Sequence, residues 1–293
     1  MAAEGGRVKR IWILLLAVVV LVAMGSALWR YLAVEGGEVE LVVVELRGDV
    51  TVSPAGADPG RATEGQAIGV DDSIQTPPDG RAVLALNGTT RIALGAASRV
   101  RVDKVGVEGV HLELEDGALE ATVRPESGAV RVGNGGRAVI ATQGSFAVGV
   151  SGDVLQVDAR EGDVVLSGVD VTRLEEGQQA TVVDRHAEIA PVPDDLLLDV
   201  AWPTLGRTRE KEGVLAGATV PGARIVVTGS FGERSTRADA TGAFELVVPL
   251  QEGENEVRVT SIDPLGRTRE LVGALGRRDT TGPRFQGGVE YGP

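Results

Sequence analysis

The residues of this chain with the most chemistry within reach are two histidines and several paired aspartates. His111 stands on the polar face of an alternating stretch, Val110 to Glu115, and His186 opens a segment that contains prolines. Neither has a second histidine or a carboxylate at ligand spacing on a shared element. Both therefore read as exposed surface histidines rather than metal ligands or general bases. Asp71-Asp72 and Asp194-Asp195 lack the alternating Asp/Asn loop of a calcium site and read as turn and linker residues. No Gly-x-Ser-x-Gly, His-Glu-x-x-His or phosphate-cradling loop occurs. Asn87-Gly88-Thr89 matches a glycosylation acceptor, but Asn-Gly at a tight hairpin accounts for it fully. The sequence assigns no catalytic, cofactor or metal residue, and the expectation is a protein that is not an enzyme.

Composition narrows the field further. With no cysteine, the chain has no disulfide, thiolate metal site, cysteine nucleophile or lipid-modified cysteine. A net charge of −13 argues against nucleic acid, whose binding rests on cations that neutralise phosphates. Aromatic residues make up 3% of the chain. Trp12, Trp29 and Tyr31 belong to an apolar N-terminal segment and Phe285 and Tyr291 to the tail. Phe146 and Phe244 sit at apolar strand positions, which leaves Trp202 and Phe231, too few for a sugar-stacking surface. Sugar binding is not expected.

Arg7, Lys9 and Arg10 precede an apolar run, Ile11 to Leu28, broken only by Gly25 and Ser26. Trp12 and the pair Trp29/Tyr31 bracket that run roughly 26 Å apart at 1.5 Å per residue, close to a hydrocarbon core of about 30 Å. This predicts a transmembrane helix or signal anchor over 11–32, with 1–10 as a cytoplasmic tail. The alternative is a signal peptide cut after Gly25-Ser26-Ala27, which leaves a secreted periplasmic protein. A discarded peptide needs no second aromatic belt, so the spacing favours the anchor. Arg7, Lys9, Arg10, Trp12, Trp29 and Tyr31 are then the membrane-interface residues, with the N-terminus cytoplasmic and the bulk of the chain outside. Residues 1–32 carry a net +3, which leaves −16 on the remainder, soluble and repelled by anionic surfaces.

The elements beyond the membrane segment read as strands. Val39 to Leu46 is Val/Leu-rich, Arg99 to Asp103 alternates strictly, and Asn87-Gly88 joins Ala82–Leu86 to Thr90–Leu94. Val110–Glu115 and Leu119–Arg124 are separated by a predicted turn at Asp116-Gly117. Further runs to Ser167 are punctuated by Gly/Asp turns, so the class is all-β, sandwich or solenoid. Glu64-Gly65-Gln66, Asp79-Gly80-Arg81-Ala82, Gln143-Gly144-Ser145-Phe146-Ala147-Val148, Glu161-Gly162 and Glu176-Gly177-Gln178 resemble the FecR-like domain, the extracytoplasmic part of bacterial transmembrane sigma regulators. The resemblance implies a compact β-roll or solenoid-like domain over 38–184 that receives or reports a signal through partner contacts.

Residues 185–195, with Pro191 and Pro193, read as a linker, so few contacts should cross it. Seven short strands follow over 196–276 and fit an immunoglobulin-like sandwich. Gly217-Ala218-Thr219-Val220-Pro221-Gly222-Ala223, Asp239-Ala240-Thr241-Gly242-Ala243-Phe244 and Asp263-Pro264-Leu265-Gly266-Arg267 resemble bacterial Ig-like modules. LGRTRE occurs at 205–210 and 265–270, read as two similar polar edge segments. The tail over 277–293 is expected to be disordered. The combined expectation is a single-pass bacterial envelope protein with interaction or sensory domains and other envelope proteins as partners. Its alternative is an accessory module of cell-wall or carbohydrate-directed machinery.

Overall fold

Alternation of apolar and polar residues decides which face of each strand leaves water. In Arg99–Gly106, Val100 and Val102 are fully buried while Arg99 and Arg101 are exposed. The computed structural model describes residues 39–203 and 206–280, and in these it is all-β apart from one short 3₁₀ turn, Pro125–Ser127. Arg7, Lys9, Arg10, Trp12, Trp29 and Tyr31, with the predicted tail and membrane helix over 1–32, lie outside the described residues. Among the described residues no helix is long and apolar enough to cross a membrane.

The first seventeen strands, Leu41–Arg47 through His186–Pro191, pair into two layers joined by a single strand, Gly109–Val123. Its C-terminal half lies in one layer, between Thr90–Leu94 and Gly144–Ser151. Its N-terminal half lies in the other, between Arg99–Gly106 and Ala129–Asn134. Phe146, Leu84, Ile92 and Leu119 from the first layer and Ile74, Val100, Leu112 and Val130 from the second are all essentially buried. Their burial is the main force holding the layers together, at about 1.5–3 kcal/mol for each large side chain.

The turn predicted at Asp116-Gly117 is absent, because the chain passes straight through as one fifteen-residue strand. Gly117 has φ +92, and a Cβ there would lie 2.4 Å from the Ser98 Cα. This glycine is where the strand bends from one layer into the other. The buried Ser98 hydroxyl seals the bend, accepting from the Ala118 N–H at 2.9 Å and donating to the Ala118 carbonyl at 3.0 Å. After the 3₁₀ turn the chain returns parallel to itself, with Ala129 opposite Gly109 and Gly133 opposite Glu113. Solenoid-type winding is confined to this one coil, and the other pairings of the two layers are antiparallel.

The hairpin after Arg81–Leu86 has Asn87 at φ +51 and Gly88 at φ +70, as Asn-Gly predicts. The Thr89 N–H donates to the Leu86 carbonyl at 3.2 Å, yet pairing resumes at Leu86 opposite Thr90. Thr89 is thus an extra loop residue, and its hydroxyl meets that of Ser127.

Two predicted boundaries need correction. Residues 186–191 of the predicted linker form the edge strand His186–Pro191, paired with Gln178–Val183. An edge position tolerates Pro191, because its missing N–H takes nothing from an interior ladder. The predicted tail at 277–293 begins too early, since the last strand, Thr268–Arg278, runs through Arg277 and Arg278. Those residues pair with Gly253 and Glu254 on one side and with Arg207 and Thr208 on the other. Residues 281–293 lie outside the described residues.

The C-terminal strands make two further sheets. One holds Leu198–Ala201, Glu212–Thr219 and Ala243–Pro249. The other orders Arg207–Thr208, Thr268–Arg278, Gly253–Ile262, Arg224–Gly229 and Gly232–Arg237. Leu215, Ile225, Val227, Phe244, Val248 and Val259 form the core between them, with Trp202 and Phe231 packed partly buried against it.

Candidate functional site

The residues with chemical potential in the sequence do not converge. His111 is half-buried, and its pKa is held down first by that burial and then by the Arg131 and Lys104 charges. His186 is exposed, with Nδ1 2.7 Å from Asp170 Oδ2. Asp72 ties a turn together by accepting from the Ala55 and Gly69 N–H groups, each at 2.8 Å. Asp71 takes the positive-φ position of that turn, at +66. Asp195 accepts from Arg269 at 2.9 Å. Among the described residues, no group of three or more His, Asp or Glu is placed to hold a metal ion.

What the structure does bring together lies at the joint between the seventeen-strand portion and the C-terminal sheets. Strands Gly144–Ser151 and Val154–Glu161 turn Phe146, Val148, Leu155 and Val157 inward, so Ala147, Gly149, Ser151, Val154, Gln156 and Asp158 face away from that core. Two C-terminal turns cover this outer face. The Ser151 hydroxyl donates to the Gly222 carbonyl at 2.6 Å. A Cβ on Gly149 would lie 2.2 Å from the Pro264 carbonyl oxygen, so only glycine allows so close an approach. Asp263 holds its own turn by accepting from the Arg267 N–H and Nε, both at 2.7 Å.

Arg267 also reaches across the joint to Asp158, 2% exposed, at 3.6 Å. Gln179 donates to the other Asp158 oxygen. Burial is the largest influence on Asp158 and raises its pKa, while Gln179 and Arg267 oppose that shift in part. Both amide atoms of Gln156 and the Arg267 Nη2 are buried at this joint without a hydrogen-bond partner. The two LGRTRE copies therefore serve different ends. Arg207 of the first sits on an edge strand and pairs with Asp279, whereas Arg267 of the second closes the joint. Leu205 lies outside the described residues.

Beside the joint opens a cleft of about 610 Å³. Apolar residues in its walls are Ala93, Ala97 and Ala118 from the first portion and Pro264 and Leu265 from the second, and Asp116, Glu120 and Asp263 also line it. Four arginines line it, Arg81, Arg160, Arg224 and Arg237. Arg160 pairs with Glu120. Arg224 stands directly opposite Arg237 on adjacent strands. The sequence held no signal for this cluster, because its members come from strands far apart in the chain that meet only through docking.

Two β-layers sharing one strand, wound once as a solenoid coil, define a class of β-module built from core and turn residues. The family profile described as "FecR protein" matches residues 72–165, and the chain carries a FecR domain. No curated protein matches the chain. Two crystal structures of a candidate anti-sigma factor from Parabacteroides distasonis are similar, each at 23% identity and a TM-score of 0.36. Each match covers 42% of this chain and 60% of the solved one.

Proposed function

We propose that this protein is a membrane-anchored envelope protein whose FecR domain and C-terminal sandwich are non-catalytic interaction or sensory modules outside the cytoplasm. The observation that carries the reading is the FecR domain joined face to face with a second β-module, with a cleft between them lined from both sides. The Trp12 to Trp29/Tyr31 spacing around an apolar run supports the anchor, with the three preceding cations cytoplasmic. The C-terminal module is immunoglobulin-like. Counting its seven main strands in order, the first, second and fifth share one sheet, and the third, fourth, sixth and seventh share the other. That division matches the immunoglobulin plan except at the fourth strand, which pairs with the third instead of joining the first sheet. Domain limits follow at 38–191 and 196–278.

The experiment is photo-crosslinking in intact bacteria from positions at the cleft mouth, followed by identification of the captured proteins and membrane fractionation. The reading expects the full-length chain in the membrane fraction and a defined envelope protein crosslinked from the cleft. Recovery of a mature chain that begins near Leu28 would overturn the anchor. Capture of wall enzymes alone would favour an accessory role in wall machinery.

A further inference from the structure

Arg224 and Arg237 face one another across paired strands, and both line the cleft. Like charges directly opposite destabilise a sheet, since their Cβ atoms stand only about 5 Å apart. Among the described residues neither arginine forms an ion pair, and neither does Arg81 on the opposite wall. Carboxylates pair many other arginines, Arg160 within the cleft through Glu120 and Arg258, Arg267 and Arg269 outside its arginine cluster. Three guanidinium groups without an ion pair thus share one concave site, whose own carboxylates are Asp116, Glu120, which pairs with Arg160, and Asp263, which is held by Arg267.

We propose that this cleft binds an extended acidic peptide segment of a partner protein, with its carboxylates held by Arg224, Arg237 and Arg81. The guanidinium fork takes a carboxylate through two parallel N–H···O bonds, and two neighbouring forks suit neighbouring carboxylates along an extended chain. Alanine, proline and glycine positions in the walls leave room for a peptide backbone, and of the lining carboxylates Glu120 and Asp263 are already engaged by Arg160 and Arg267. The volume lies within the usual range for a small-ligand site of about 300–1,000 Å³. The negative surface elsewhere does not prevent approach, because exposed charges beyond about 8–10 Å are largely screened at physiological salt. Long polyanions fit less well, since they would run out over that same acidic surface.

The proposal deepens the interaction-module reading by naming the partner's chemistry. Peptide binding can fail while in-cell crosslinking still finds a partner, so the two are separable. The test is fluorescence anisotropy on the full-length chain in detergent, with a labelled Glu-Ala-Glu-Ala-Glu peptide, its Gln-Ala-Gln-Ala-Gln counterpart and a labelled oligonucleotide. The expected result is binding of the acidic peptide that weakens with salt and is about ten-fold weaker or lost for the glutamine peptide and for Arg224→Gln/Arg237→Gln. Arg258→Gln, which removes a paired arginine, should leave it within about two-fold. Ala93→Glu, which supplies a tethered carboxylate inside the cleft, should block the peptide and keeps the test decisive if the double variant misfolds. Equal binding of the two peptides, tighter binding of the oligonucleotide, or indifference to Ala93→Glu would overturn the proposal.

Discussion

Asp158, on a strand of the FecR domain, and Arg267, in a turn of the C-terminal module, form an ion pair at 3.6 Å across more than a hundred residues of chain. The aspartate is 2% exposed, and the same arginine also holds Asp263 at 2.7 Å. Arg267→Met therefore strands two buried carboxylates at once. Breaking a buried pair from one side costs about 3–5 kcal/mol, and the partial exposure of Arg267 places the expected loss near the lower figure. Arg258→Met, which removes an exposed pair with Glu270, should cost about 0.5 kcal/mol or less. Urea denaturation of the two variants checks the contrast.

The pH dependence of Asp158 has a definite sign. Burial raises its pKa in the folded protein, so its contribution to stability is full below the unfolded-state value of about 3.9 and is lost as pH rises through the raised value. Asp158→Asn removes this titration. The variant should accordingly gain on the parent as pH rises from about 4 and level off above the raised value. Asp239, whose pKa is held down by the Thr241 hydroxyl and nearby N–H groups, titrates in the opposite sense. It is common to both proteins and cancels in the difference. A parent that gains on the variant as pH rises would mean that the Arg267 attraction outweighs burial.

Gly117→Ala should be among the costliest single-methyl additions in the FecR domain. The backbone there has φ +92, and the new Cβ would lie 2.4 Å from the Ser98 Cα and 2.8 Å from the Ala97 carbonyl oxygen. Strained backbone alone costs about 1–3 kcal/mol, and the clash adds to it. Gly65→Ala, at φ +81 but with nothing within 4 Å of its Cβ, isolates the backbone part. Thermal melts should show the larger drop for Gly117→Ala.

At the Asn87-Gly88 hairpin, Gly88→Val should cost about 2 kcal/mol, since φ is +70 while the surrounding space is open. Arg91→Ala, at an exposed position of the following strand, should cost about 0.5 kcal/mol or less. Equal melting temperatures for the two variants would show that turn geometry does not govern this hairpin.

The all-β class and the alternating faces of strands such as Arg99–Gly106 were legible because period-two patterning reports burial directly. Asp116-Gly117 misled because a glycine that bends a strand between layers has the same local chemistry as one that ends it. Pro191 misled for a related reason, since proline marks a linker or an edge strand equally well. The arginine cleft was not legible at all. Arg81, Arg224 and Arg237 carry no local pattern, and only the approach of Gly149 to Pro264 brings their strands around one space.

The single strand shared by both layers has a mechanical consequence. Gly109–Val123 is continuous through the two sheets, so they cannot slide or part without breaking ladders on both sides of it. A load applied to one layer passes to the other along covalent bonds. The module is stiff along this axis, and the compliant place is the joint, where two turns rest on Gly149, Ser151 and Asp158. A pull transmitted from a bound partner would be spent there first, on widening the cleft, before any strand of the FecR domain gave way.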